Sequence, residues 1–420
     1  MPAISHNKNL FKKKSECVII IRNINQFSTS MNEIQSKKTQ KILAIDLFSG
    51  AGGFSLAALK SGINIISAIE LDPKACETYK HNLITCRKNE IDLINDDITS
   101  ICIDSLMRKH KLIPKQLDII IGGPPCQGFS SHRIKNSGVK DPRNSLLIKY
   151  FDFVNTLKPK LFLVENVPGL LWERHKDYLE AFIEMAVKSG YKVDKPIKLN
   201  AKDYGVPQNR QRVFILGIRE DLKLPDAFWP PKPTHFKNKH PFYLNASEVF
   251  EKPEVEILEK IANAIGEKAT TELKFGESLT SEDDCNIHMN HSDNMLARFR
   301  LTPINGSRED IPFRLPCHEN EYSGHKDVYG RIRLSQPGPT ITTGCFNPSK
   351  GRFLHPWKNH GITIRHAARF QTFPDDYVFK GGITNKGKQV GNAVPIDMGV
   401  AMLKSCIQII KHREFSNDNK

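Results

Sequence analysis

The chain lacks the features that would mark several other classes of protein. Its 420 residues hold no uninterrupted apolar run long enough to span a bilayer and no segment typical of a secretory signal. The nine cysteines are odd in number and never form a close C-x-x-C pair, which argues against a disulfide framework and a zinc site. No phosphate-cradling G-x-x-x-x-G-K-[ST] segment and no internal repeat occur. We therefore expect a cytoplasmic protein with no membrane segment and no metal.

Positive charge is in excess. The chain has 61 Lys and Arg against 46 Asp and Glu, which gives a formal net charge of +15. Such a balance favours a polyanionic partner, with nucleic acid as the first candidate. Because many proteins of one genome can share a lysine-rich composition, the charge by itself is weak evidence for a nucleic-acid partner.

The sequence pattern divides the chain into five parts. Residues 1–40 are basic and poorly periodic, which predicts a disordered arm. In residues 41–220 short apolar runs alternate with helical segments, which predicts an α/β fold with a parallel sheet covered by helices on both faces. Residues 221–364 are rich in proline and predict a second, smaller and irregular domain. Residues 365–388 are expected to form a hinge, and residues 389–420 a closing amphipathic helix.

A glycine-rich turn, DLFSGAGGF at 46–54, follows the first predicted strand and opens a helix. This arrangement places free backbone N–H groups at the carboxyl edge of the sheet, where nucleoside cofactors bind. The next predicted strand ends in Glu70, which suits a ribose diol, and Asp97 after the third strand could accept a bond from an exocyclic amine. A generic turn with surface acids explains these residues equally well.

The segment GGPPCQGFS, 122–130, predicts a rigid approach to a cysteine. Pro124 and Pro125 fix the backbone just before Cys126, and a polar, basic loop follows it to residue 145. A thiol at the end of a strand can be activated as a thiolate nucleophile, and such a loop can close over a substrate. The alternative is a buried structural cysteine.

Two further segments add a carboxyl group and two guanidiniums. Glu165 ends the apolar strand of FLVENV, where it could serve as a proton donor beside Cys126. Arg210 and Arg212, two residues apart at the head of a predicted strand, should point to the same side and suit a carbonyl oxygen or a phosphate. Taken singly, they could be a capping glutamate and two solvated arginines. Taken together, they fit a reaction in which a thiolate adds to an electron-poor ring, an acid protonates a ring nitrogen, and the activated carbon attacks a methyl donor.

These motifs, in this order, resemble the cytosine-C5 DNA methyltransferase family, in particular its bacterial stand-alone members from type II restriction-modification systems. Two later segments share the resemblance: RHAARFQTFPDDY at 365–377 and QVGNAVP at 389–395. The resemblance implies a Rossmann-like, S-adenosylmethionine-dependent domain and a target-recognition domain at 221–364. It also implies double-stranded DNA as the substrate, a flipped cytosine, a monomeric enzyme and a cognate endonuclease encoded nearby.

The resemblance assigns three sets of site residues. The catalytic residues are expected to be Cys126, Glu165, Arg210 and Arg212. S-adenosylmethionine is expected to contact Phe48, Ser49, Gly50, Gly52, Gly53, Glu70, Asp97, Pro125, Asn392 and Ala393. The DNA is expected to contact Gln127, Ser130, Arg133, Asn166 and Gln208. Two positions depart from the family pattern: Leu71 stands where a tryptophan is frequent, and Asp96 where glycine is common. Both should affect cofactor affinity more than chemistry.

Two other functions remain open from the sequence. One is a tRNA cytosine-5 methyltransferase of the same fold, although that branch carries Cys-Phe-Thr where Asn347 follows Cys345 and Phe346 here. The other is a non-catalytic, methyltransferase-like DNA-binding protein, which would be favoured if Cys126, Glu165 or the glycine turn were degraded. A cysteine hydrolase is disfavoured, because no histidine occupies a recognisable position for a general base.

Overall fold

Within the described residues, eight strands form one mixed sheet. The computed structural model describes residues 41–124, 144–222, 228–312 and 327–417. The strands are β1 (Ile42–Leu47), β2 (Ile63–Glu70), β3 (Asp92–Asn95), β4 (Ile119–Gly122), β5 (Leu161–Asn166), β6 (Tyr191–Val193), β7 (Ile197–Asn200) and β8 (Gln211–Arg219). The α-helices are α1 (Gly53–Lys60), α2 (Pro73–Tyr79), α3 (Ile103–His110), α4 (Asn144–Leu157), α5 (Lys176–Lys188), α6 (Val255–Ile265), α7 (Glu267–Thr271), α8 (Asp293–Leu301), α9 (Ile364–Phe370), α10 (Ile383–Asn392) and α11 (Ile396–Asn417).

The strand order is β3-β2-β1-β4-β5-β8-β6, and β7 pairs with β8 off this path. The five strands β1 to β5 are parallel, as predicted. The prediction of a parallel sheet does not hold for β8, which runs antiparallel to its neighbours β5, β6 and β7. The links from β6 to β7 (194–196) and from β7 to β8 (201–210) are too short for the crossover that a parallel pair requires, so β8 returns antiparallel. The chain reverses its direction of winding between β1 and β4, which places a crevice at their carboxyl ends.

Helices cover both faces of the sheet, as the alternating pattern predicts. One face packs on a cluster that includes apolar residues of α1 and α11, and the other face packs on residues of α3, α4 and α5. Along β1, Ala44 belongs to the first cluster and Ile45 to the second, because successive side chains of a strand point to opposite faces.

The closing helix is interrupted, contrary to the prediction of a single helix from residue 389. Helix α10 ends at Asn392 and α11 begins at Ile396. Pro395 has no N–H to continue the helical ladder, and the N–H of Ile396 donates to the carbonyl of Gln371 instead. Among the described residues, the stretch Ile383–His412 alone is long and apolar enough to cross a membrane by length and composition. Its most apolar window is 61% buried in the protein, which is what a core helix also shows.

The proline-rich region contains α6, α7 and α8 but, over residues 228–312 and 327–363, only isolated β-bridges. Buried arginines connect the backbone of this region in place of the hydrogen bonds between strands. Arg331 donates to four backbone carbonyls and to the side chain of Asn359, with N···O distances of 2.6 to 2.9 Å. Arg352 donates to three carbonyls and to Asp327. Apolar residues of this region belong to the same core cluster as α1 and α11, and its status as a separate target-recognition domain stays a prediction.

Gly217 in β8 lies directly opposite Phe162 in β5. A Cβ atom at Gly217 would come within 2.0 Å of the Phe162 ring, which is fully buried. We expect Gly217→Ala to lower the free energy of unfolding by about 1 to 3 kcal/mol through overpacking, measured by urea denaturation.

The matched control is Phe162→Leu, which removes the ring atoms nearest to the new methyl group. In that background Gly217→Ala should cost clearly less, so the two substitutions should be non-additive. An equal loss in both backgrounds would contradict the contact as the cause.

Candidate active site

A cavity of about 300 Å³ lies at the carboxyl ends of β1, β2, β4 and β5. It brings together ten of the residues that the sequence singles out: Phe48, Ser49, Gly50, Gly53, Glu70, Glu165, Asn166, Arg212, Asn392 and Ala393. Those residues are separated by up to several hundred positions in the chain. The crevice at the reversal point of the sheet therefore coincides with the predicted site.

The glycine-rich turn after β1 doubles back on itself. Phe48, Gly50 and Gly52 have φ values of 60°, 56° and 89°, in the left-handed region that glycine tolerates best. The turn brings the N–H of Gly50 to one oxygen of Glu70 at 2.8 Å, and the N–H of Asp72 reaches the other oxygen, also at 2.8 Å. Glu70 is thus held in one orientation at the cavity wall.

Gly52 has a packing role. A Cβ atom there would lie 2.8 to 3.0 Å from the side chains of Leu83, Tyr79 and Tyr377, and Gly52 does not line the cavity. The prediction that Gly52 contacts the cofactor directly therefore has no support from its position. Its neighbour Gly53 does line the cavity.

Gly122 ends β4 and Gly123 follows it, at positions where neighbouring carbonyls leave no room for side chains. A Cβ atom at Gly122 would lie 1.8 Å from the carbonyl oxygen of Leu47, and one at Gly123 would lie 2.3 Å from that of Glu165. The next residue, Pro124, lines the cavity, and its carbonyl accepts a bond of 3.2 Å from Asn166 Nδ2. The close approach of β1, β4 and β5 thus fixes the start of the cysteine segment.

Glu165 and Arg212 form an ion pair on the cavity wall. Glu165 Oε1 lies 2.7 Å from Arg212 Nε, and the two side chains are only 16% and 11% exposed. The pair is in contact, but its angles are not those of a hydrogen bond, and Oε1 has no hydrogen-bond partner among the described residues. Arg212 also donates through Nη1 to the carbonyl of Gln211 at 2.8 Å. A partly desolvated carboxyl with spare bonding capacity suits a polar ring edge.

Arg210 does not line the cavity beside Arg212, contrary to the expectation that both face one side. Its fully buried guanidinium donates to the carbonyls of Ile341 at 2.6 Å, Gly391 at 2.8 Å and Ala393 at 3.1 Å. Burial, and then the charge of Arg212, lower the pKa of Arg210 well below its ordinary value. These contacts make Arg210 a positioning residue, and they lend no support to a direct catalytic role.

Gln208 is likewise fully buried. Its Nε2 donates to the carbonyl of Phe370 and to Gln371 Oε1, and its Oε1 accepts from the N–H of Ile341. Gln371 in turn donates to the carbonyl of Ala393 at 3.2 Å. We call Gln208, Arg210 and Gln371 the polar hub. Gln208 therefore supports the site from behind, and nothing in its contacts indicates that it touches DNA.

Asp97 lies outside the cavity lining. Its Oδ1 accepts from the backbone N–H of Thr99 at 2.8 Å and from the Thr99 hydroxyl at 2.7 Å, and these bonds lower the pKa of Asp97. Leu71, next to Glu70, is 64% exposed. A role for Asp97 in binding an exocyclic amine stays a prediction.

Five predicted site residues fall outside the part of the chain that the structure describes: Pro125, Cys126, Gln127, Ser130 and Arg133. The same holds for most of the basic loop and for the arm at residues 1–40. The roles assigned to them stay predictions.

Asp46 is a cavity residue that the sequence reasoning missed. It is fully buried, and its Oδ2 accepts a 2.6 Å bond from Ser55, whose hydroxyl accepts from Tyr79 at 2.8 Å. Its Oδ1 has no partner among the described residues, and burial raises the pKa of Asp46 to about 7. The available signal was an acidic residue inside an otherwise apolar strand, where a charge is costly unless a ligand or a partner compensates it.

One cluster in the described residues has the composition of a metal site: Glu251, His355 and His366. Backbone N–H groups donate to Nδ1 of both histidines, so each ring carries its proton on Nε2. That nitrogen of His366 donates to Glu251 at 2.9 Å. The ring atoms that face the centre are therefore donors, which does not fit metal coordination.

The polar hub should matter more to stability than the cavity arginine. We expect Arg210→Lys to lower the free energy of unfolding by about 3 kcal/mol, because a lysine cannot reach three carbonyls and leaves buried acceptors unpaired. Arg212→Lys keeps a charge near Glu165 and should cost about 1 kcal/mol or less. Urea denaturation of both variants checks the difference, and equal losses would contradict it.

Asp46 should make stability depend on pH. Between its ordinary pKa of 3.8 and about 7, the carboxyl is ionised in the unfolded chain and protonated in the folded one, so stability falls as pH rises through that window. Relative to Asp46→Asn, the wild-type free energy of unfolding should fall by roughly 3 kcal/mol between pH 5 and pH 8.

The control for Asp46 is Ser55→Ala, which removes a hydrogen bond but keeps the carboxyl. Because the bond from Ser55 lowers the pKa of Asp46, this variant should keep the fall in stability with rising pH and extend it to higher pH than in the wild type. Parallel pH profiles for wild type and Asp46→Asn would show that Asp46 is not the titrating group.

Comparison with known proteins gives one consistent result. Residues 42–408 match the C-5 cytosine-specific DNA methylase family. The chain is 32% identical over 367 residues to Type II methyltransferase M1.HphI from Haemophilus parahaemolyticus, covering 87% of this chain and 86% of that protein. It is 33% identical over 399 residues to Type II methyltransferase M.DdeI from Desulfomicrobium norvegicum, covering 89% and 91%.

Solved structures agree on the fold. A protein described as a DNA modification methyltransferase encoded within an E. coli prophage superposes with a TM-score of 0.63 at 23% identity, covering 88% of this chain and all of that one. The S. pombe Dnmt2 methyltransferase gives a TM-score of 0.56 at 15% identity, covering 88% and 98%. At these identities the likeness shows the fold alone. Together with the family match over residues 42–408, it confirms the predicted fold and enzyme class: the chain belongs to the C-5 cytosine-specific DNA methylase family and is a DNA cytosine-5 methyltransferase.

Proposed function

We propose that the protein transfers a methyl group from S-adenosylmethionine to C5 of a cytosine that has been flipped out of a specific duplex sequence. The observation that carries the proposal is the shared cavity. Seven of the ten residues expected at the cofactor line the same space of about 300 Å³ as the Glu165–Arg212 pair. A methyl donor bound by the cofactor residues would therefore lie next to a cytosine ring bound by Glu165 and Arg212.

The residues present fit the cofactor. Each oxygen of Glu70 accepts one backbone N–H, which orients the carboxylate and leaves further lone pairs for a ribose diol. Phe48 offers an aromatic surface on the same wall, and the unpaired Oδ1 of Asp46 offers a buried acceptor. S-adenosylmethionine would supply an electrophilic methyl group there, next to a positively charged sulfur.

The chain's own residues would activate the cytosine. We infer that the Cys126 thiolate forms a bond to C6 while Glu165 holds a proton at N3 and Arg212 contacts O2. This addition would make C5 nucleophilic, so that C5 would take the methyl group and the sulfonium donor would be left as a neutral thioether. Loss of the C5 proton then restores the ring and expels the thiolate. Pro124, two residues before Cys126 in the sequence, lines the cavity next to Asn166, which supports the placement of the thiol on this side.

Four wider properties belong to the same proposal. We infer that the enzyme acts as a monomer in the cytoplasm and protects host DNA against a cognate endonuclease. The protective role is supported by the similarity to two Type II methyltransferases over more than four fifths of the chain. The irregular region between residues 221 and 364 would read the bases from the major groove.

The mechanism predicts that the methylation depends on Cys126. Labelled S-adenosylmethionine should transfer its methyl group to cytosine C5 in duplex DNA, and Cys126→Ala should abolish the transfer because no adduct can form. Glu165→Gln should lower the rate by about 10² to 10⁴, the usual contribution of a positioned acid. Tritium counting measures both rates, and bisulfite sequencing maps the site.

Two controls make the test decisive. Cys126→Ala should still bind S-adenosylmethionine, which shows that the fold is intact, and total tRNA should remain unlabelled. Label in tRNA alone would assign the protein to the RNA-modifying branch. Transfer to DNA that persists without Cys126 would refute the adduct.

A further inference from the structure

An exposed apolar ridge continues directly from the cavity wall. Strand β5 ends at Asn166, and the chain then makes two short 3₁₀ turns, Pro168–Leu171 and Glu173–His175. Val167 lines the cavity and is 47% exposed. Leu171 and Trp172 follow it and are 39% and 54% exposed. We call residues 167–174 the Trp172 ridge.

The ridge is a rigid surface. The N–H of Leu170 donates to Val167, that of Trp172 to Gly169 and that of His175 to Trp172, at 2.8 to 3.1 Å. Leu170 and His175 are buried beneath it. The exposed indole is therefore held by a segment that backbone hydrogen bonds and the buried side chains of Leu170 and His175 fix in position.

A cation accompanies the indole. The guanidinium carbon of Arg174 lies 4.2 Å from the centroid of the Trp172 ring, at cation–π distance. Both side chains are exposed, whereas the neighbouring Glu173 approaches Lys176 at 3.6 Å. An aromatic ring and a guanidinium side by side suit a nucleotide. The base or sugar of the nucleotide can pack on the ring, and its phosphate can pair with the guanidinium.

We propose that the Trp172 ridge binds duplex DNA at the nucleotides flanking the target cytosine. This inference rests on the proposed function, because the ridge adjoins the cavity that would receive the flipped base. The net charge of +15 favours a polyanionic partner for the chain as a whole and opposes pairing with a second copy of the chain, and Arg174 supplies a cation on the ridge itself. Exposed apolar side chains are common singly, but three within six residues at the rim of a cavity indicate a contact surface.

The first test uses fluorescence, since the chain has three tryptophans and the other two, Trp229 and Trp357, are partly buried. A duplex containing the recognition site should quench the emission of the wild type, because bases quench an indole that they contact. In Trp172→Phe the quenching should largely disappear although binding persists. Undiminished quenching in that variant would place the contact elsewhere and overturn the proposal.

The second test is kinetic. Trp172→Ala should raise KM for duplex DNA by about tenfold, the usual effect of losing one stacking contact, with kcat and the affinity for S-adenosylmethionine unchanged. Trp172→Phe should retain most of the affinity, and Arg174→Ala should weaken the salt dependence of binding. The matched control is Val187→Ala, which removes a side chain that is 53% exposed on α5 and should leave every parameter unchanged.

The outcomes separate the two proposals. A wild type that does not methylate DNA refutes the proposed function and the ridge with it. A wild type that methylates DNA, together with an unchanged KM in Trp172→Ala, refutes the ridge alone. A dimer that forms without DNA and depends on Trp172 would assign the ridge to self-association and would also overturn the proposal.

Discussion

The site depends on the bonds between buried side chains of the polar hub and backbone carbonyls. Arg210 donates to Ile341, Gly391 and Ala393, and Gln208 connects to Gln371, which reaches Ala393 as well. These bonds close the cavity with a segment that lies about 180 residues further along the chain. A charged group without its carbonyl partners would be costly to bury, so the burial of Arg210 depends on these carbonyls.

The hub explains how one short motif serves two purposes. Gln208, Arg210 and Arg212 have the spacing of one face of a strand, but β8 begins only at Gln211. The pleat therefore governs Arg212, which reaches the cavity, and does not govern the two residues before it. The sequence-based prediction that residues two apart point to the same side holds only within a strand. It fails for Gln208 and Arg210, because they precede the start of β8.

The sequence predicts the parts whose causes are local. Alternating apolar runs and the glycine turn at residues 46–54 suffice for the layered fold and for the edge at which the site lies. The direction of β8 depends on links too short for a crossover, which pattern analysis does not measure. The role of Asp46 was missed because its raised pKa arises from burial by residues distant in the chain. The role of Gly52 was misassigned because a close packing contact and a ligand contact both require glycine.

The charges of the molecule are divided between its surface and its cavity. The chain as a whole is strongly basic, which suits DNA, whereas the cavity is acidic. Its lining includes four acidic and two basic side chains: Asp46, Glu70, Asp72, Glu165, Arg212 and Lys388. Both cations are already engaged, Arg212 with Glu165 at 2.7 Å and Lys388 with Asp72 at 3.1 Å. The negative charge that remains comes mainly from Glu70, on the wall expected to hold a positively charged methyl donor, since burial raises the pKa of Asp46 to about 7. A polyanionic substrate and a cationic cofactor can thus be bound side by side, each facing charge of the opposite sign.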